Sequence, residues 1–130
     1  MSYAVQIQRP NGLIPYGEWL AVARTDPELV EVGHSEWLRP DGGTETFVVF
    51  TWQPPITSGD DHPATAEFVY YNGRIAIDHV EDHWMKKIAA LAAGLDAIAT
   101  GDDGETYDLD GRAHRPSPQH KSGWLRKLFG

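Results

Sequence analysis

The chain has 130 residues, no cysteine, 41% apolar residues and a net charge of −8. That length suits one compact domain with a real core, and the lack of thiols excludes disulfides, thiolate zinc sites, iron–sulfur clusters and cysteine nucleophiles. All nineteen acidic residues fall in positions 1–111 beside six basic ones, a net −13, while 112–130 hold five basic residues and no acid, so the body should repel nucleic acid and attract basic partners.

The start carries no basic head followed by an apolar run, and no window reaches about 18 apolar residues. A cytoplasmic protein without stable membrane insertion is expected. "YAVQIQ" (3–8) alternates apolar and polar and predicts a half-buried strand. "PYGEWLAVART" (15–25) predicts a short helix, with Pro15 at its first position and Trp19, Leu20 and Ala23 on one face. "LVEVGHSEWL" (29–38) reads as one bent strand or as a strand and a loop, and "RPDGG" (39–43) is a turn by composition. "TETFVVFTWQ" (44–53) is rich in β-branched and aromatic residues and predicts a strand; a surface loop follows at 54–64.

"TAEFVYY", "NG" and "RIAIDHV" (65–80) form the strongest local signal. Asn-Gly between two β-type runs predicts a type I′ hairpin, whose central residues both need positive φ. "EDHWMKKIAALAAGLDAIAT" (81–100) predicts a long helix with Trp84, Ile88, Leu91, Leu95 and Ile98 on one stripe. "GDDG" (101–104) is then the helix exit, and "ETYDLD" (105–110) a last strand with Tyr107 and Leu109 inward. The expected fold is α+β: an antiparallel sheet of about five strands with two helices on one face, in the order β-α-β-β-β-β-α-β over 1–111. Residues 112–130 are expected to be a flexible basic linker and an amphipathic tail.

The acidic stretch at 101–111 does not fit a calcium loop. Counting from Asp102 or Asp103 puts Tyr107 or Asp108 where such a loop needs glycine, and Ala113 or His114 where it needs glutamate. His79 and His83 are four apart, the spacing that shares a helix face. The helix starts near 80–81, however, which leaves His79 extended, and nothing in the spacing supports His34 or His62 as a third ligand. Asp60, Asp61 and His62 join two carboxylates and an imidazole in a loop, a solvated turn or a catalytic cluster. No nucleophile elbow, phosphate loop or dinucleotide fingerprint is present. No catalytic residue, metal or cofactor is therefore assigned. In the tail, Trp124, Leu125, Leu128 and Phe129 would fall within about 140° of arc if helical, with Arg126 and Lys127 opposite. They could dock on the protein's own body, on a partner or on an anionic membrane.

The run "NGRIAIDHVEDHWMKKIAALAAGLDAIATGDDGETYDL" and the earlier "PYGEWLAVARTDPEL" resemble small bacterial proteins encoded near polymorphic toxins. The resemblance implies an immunity-like, non-enzymatic module that binds and blocks a cognate toxin or effector. Asp60, Asp61, Asp102, Asp103 and Glu105 would supply steering charge, and Trp37 and Trp52 would be anchors. The basic tail is no part of that pattern. Two other readings stay open: a metal-assisted hydrolase using His62, His79, His83 and nearby carboxylates, and a self-assembling or membrane-surface accessory protein acting through its tail.

Overall fold

The computed structural model describes residues 3–54 and 65–114. β1 (Tyr3–Gln8) buries Val5 and Ile7 and leaves Gln6 exposed between them, as the alternation requires. α1 (Tyr16–Thr25) is capped by Pro15 and buries Trp19 and Ala23. β2 (Leu29–Leu38) and β3 (Thr44–Trp52) form a long hairpin with a bulge between Glu31 and Gly33. Its turn is closed by the Arg39 N–H on the Gly43 carbonyl (2.8 Å) and the Gly43 N–H on the Asp41 carboxylate (2.8 Å). β4 (Ala66–Tyr71) and β5 (Arg74–Val80) meet at Asn72 (φ 51°) and Gly73 (φ 75°), the type I′ geometry that Asn-Gly permits.

A single tight helical turn (Asp82–Trp84) leads into α2 (Met85–Gly94). The helix stops four residues before Ile98, the last member of its apolar stripe. The Ala97 N–H reaches the Ala92 carbonyl (2.9 Å) and the Asp96 N–H the Ala93 carbonyl (3.2 Å), while Asp96 takes φ 52°. This is a Schellman stop with aspartate where glycine is usual. Arg9 Nε donates to the Leu95 carbonyl (2.9 Å), adding a cation at the negative end of the helix. Ile98, expected on the helix, therefore opens β6 (Ile98–Gly101), followed by β7 (Thr106–Tyr107) and β8 (Ala113–His114).

The fold is α+β, and its sheet is wholly antiparallel. It has eight strands rather than about five, in spatial order β2-β3-β4-β5-β1-β6-β7-β8. The chain order also departs from expectation, since two further strands follow β6. Leu109, expected to point inward, is 62% exposed in the turn between β7 and β8. Both helices cover the same sheet face. Trp19 lies parallel to Phe68 (centroids 6.1 Å, interplanar 7°) and edge-on to Phe50 (5.6 Å), and Met85, Ile88 and Leu91 of α2 join that core.

Candidate protein-binding surface

Pairing of β3 with β4 begins only at Val49–Val69, whereas β3 itself starts at Thr44. Residues 44–48 and the outer half of β2 therefore overhang the sheet. Side chains replace the missing strand there. Tyr16 Oη accepts the Val48 N–H (2.8 Å). Tyr16, Phe47 and Tyr70 form a ring triad with centroids 4.8–5.1 Å apart, within the range of favourable aromatic pairs. The Tyr70 hydroxyl donates to the Ile14 carbonyl (2.5 Å). Burial, then the nearby Glu45 charge and Tyr16, push the Tyr70 phenol above its ordinary value, so it stays a donor at neutral pH.

These rings line an open cleft of about 420 Å³, with Leu13 and Pro15 on one wall and Glu45 and Asn72 as its polar margin. Gly73 is required there twice over. Its φ is positive, and a Cβ would overlap Leu13 Cβ at 2.5 Å. On the same overhang, Trp37 rests on Tyr71 (centroids 4.2 Å) and its indole N–H donates to Ser35 Oγ (2.9 Å). Leu38 next to it is 79% exposed. The overhang carries Glu36, Asp41 and Glu45 against Arg39, which pairs with Asp41 (3.2 Å). The result is a rigid aromatic surface with an acidic margin.

The residues expected to act together are not brought together. Of the two expected anchors, Trp37 is half-buried on this surface. Trp52 is core: it is 6% exposed and edge-on to Trp84 (6.4 Å), with the Lys87 ammonium 5.9 Å from its ring centre. Asp102 and Asp103 are exposed in the β6–β7 turn, with β6 five strand positions from β2 in the sheet. Asp102 Oδ2 accepts the Ala4 N–H (3.3 Å). Glu105 is 6% exposed and supplies no surface charge. Its carboxylate accepts the Asp103 N–H (2.9 Å) and the Tyr107 hydroxyl (3.2 Å) and lies over Gly101, where a Cβ would collide with it. Asp60, Asp61, His62, Trp124, Leu125, Leu128 and Phe129 lie outside the described residues.

His79 is exposed and sits in β5 at φ 56°, where β5 carries an extra residue against β1. It is a bulge residue in the left-handed region, which histidine tolerates better than most. His83 is exposed in the turn before α2. Among the described residues no three His, Asp or Glu side chains gather where they could hold a metal ion, and no helix is long and apolar enough to cross a membrane. The signals that sequence reading passed over were Tyr16, Phe47 and Tyr70. Each belongs to an element correctly placed along the chain, but their meeting depends on the overhang. Comparison with protein-family models, curated proteins and solved structures finds no match.

Proposed function

We propose that this chain is a non-enzymatic, acidic protein-binding module, immunity-like in action, which occludes a basic effector with the overhanging aromatic end of its sheet. One observation carries the reading. Tyr16, Phe47 and Tyr70 build a preformed cleft, and the Trp37–Tyr71 pair and exposed Leu38 belong to the same overhanging end of the sheet. Rigid aromatic anchors that are ordered before binding lose little entropy on association. The acidic body would speed encounter with a basic partner, and the cleft would set residence time.

The test is affinity capture from native lysate with the wild type and with Leu38→Asp, followed by titration of the recovered protein. Leu38 is so exposed that the change leaves the core untouched. The expected result is one stoichiometric partner whose affinity falls about tenfold or more in the variant, a loss of roughly 1.4 kcal/mol or more. Equal affinity for both proteins would overturn the proposed surface.

A further inference from the structure

The two helices cover one face of the sheet; among the described residues the other face is open. Directly opposed residues on neighbouring strands share a face, and the pairing register draws one row across the open side: Gly33, Val49, Val69, Ala76, Gln6, Thr100, Thr106, His114. From Val49 to Thr106 that row carries no charge. Its apolar stretch, Val49, Val69 and Ala76, is only half-buried. Val30, opposite Thr51, is 57% exposed on the same face, and Tyr71, opposite Arg74, is 48% exposed. Glu67 and Asp78, two residues along from Val69 and Ala76, set two carboxylates at one margin, and neither makes an ion pair among the described residues. Arg74 stands at the opposite margin.

We propose that residues 124–129 of this same chain fold back onto the open face, seating Trp124, Leu125, Leu128 and Phe129 over Val49, Val69 and Ala76 and setting Arg126 and Lys127 against Glu67 and Asp78. The described chain ends at His114, the last member of that row, on the edge strand. Ala76 lies four strand positions away and Val69 five, or about 19–24 Å at ~4.8 Å per strand. Ten residue steps separate His114 from Trp124, an extended reach of about 33 Å. Tethering raises the local concentration of such a segment to the order of millimolar, so a few apolar contacts suffice to hold it. The charges agree: residues 112–130 hold no acid, and the body is strongly acidic.

The chain has no cysteine, so Gly130→Cys gives a single attachment point for a nitroxide. Amide signals of the isotope-labelled full chain should lose intensity at Val49, Glu67, Val69 and Ala76, while those of Trp19 and Ala23 on the helix side should not. Val69→Glu, on the open face, should restore the lost intensity, and so should Trp124→Ala combined with Phe129→Ala, which leaves the described domain unaltered. Isotope-labelled chains without nitroxide, mixed with unlabelled nitroxide-bearing chains, should show no loss. Four results would overturn the proposal: no broadening on the open face, broadening on the helix side instead, broadening indifferent to both variants, or broadening that also appears in the mixture. The last would make a second copy the occupant.

Discussion

Asp96 holds a left-handed backbone that costs a non-glycine residue about 1 kcal/mol. Asp96→Gly is therefore expected to stabilise the protein by roughly 0.5–1 kcal/mol, read as a higher denaturation midpoint with an unchanged slope. Lys87 presents the opposite case. Its ammonium donates to Asp26 and Glu28 (2.6 Å each), and both Lys87 and Asp26 are largely buried. Burial alone would raise the Asp26 carboxyl, but hydrogen bonds from Lys87 and the Glu28 backbone hold it below its ordinary value. Burial alone would lower the Lys87 ammonium, but its bonds to Asp26 and Glu28 carry it above. The Asp26 contribution is thus present above the usual carboxylate range and is lost as pH falls through the lowered value; the Lys87 contribution is lost as pH rises through the raised one. Lys87→Met should cost about 1–3 kcal/mol at neutral pH, discounted for partial exposure. It should also flatten the acid limb of a stability-against-pH curve.

Tyr70 adds an alkaline limb. Its folded phenol is raised above the ordinary value of about 10. The stability it contributes is complete below pH ~10 and declines as pH climbs toward the raised value. Urea midpoints across that window should drop less steeply for Tyr70→Phe than for the wild type, and equal slopes would assign the alkaline limb to other groups.

At the scale of elements, the overhang of the β2–β3 hairpin depends on one phenol oxygen. Tyr16→Phe keeps the ring triad but leaves the Val48 N–H without its partner, at about 1–2 kcal/mol. Amide exchange at Val48 should accelerate, while exchange at Phe68, in the paired part of the sheet, should not change beyond the global loss of stability. The same scale shows what was legible in the sequence. Asn72–Gly73 announced its hairpin because only such a pair accepts two positive φ angles cheaply. The end of α2 was hidden because its left-handed residue is an aspartate, and because Ile98 happens to fall three residues after Leu95, in step with the helix. β7 and β8, two residues each, are too short to show any period. Residues 47–52 are apolar or β-branched on both faces, so alternation could not tell that Trp52 is core. The aromatic cleft was the least legible part, since its residues come from α1, β3 and β4, and only the offset between two strands makes them meet.

Across the whole molecule, charge and aromatic surface occupy separate places. Asp102 and Asp103 sit in the β6–β7 turn and the cleft lies under the β2–β3 overhang. Their effects on a basic partner should therefore separate. Asp102→Asn with Asp103→Asn should slow association and reduce its dependence on salt, leaving dissociation unchanged. Leu38→Asp should chiefly speed dissociation. A stopped-flow series over ionic strength reads both at once.

The position of β1 has a consequence for how the protein is made. The first strand in the chain is flanked by β5 and β6, so it lies inside a sheet whose last partner, residues 98–101, is synthesised some ninety residues later. At about 5–20 residues per second, that is a delay of roughly 5–20 s. The two hairpins between β2 and β5 can close locally in the meantime. Val5 and Ile7 can pair with β5 once it is made, but their other edge must wait for β6. The β1–β6 seam therefore closes after the two hairpins, and a ribosome stalled before Ile98 would hold a chain whose first strand still lacks one of its two neighbours and presents that edge to chaperones.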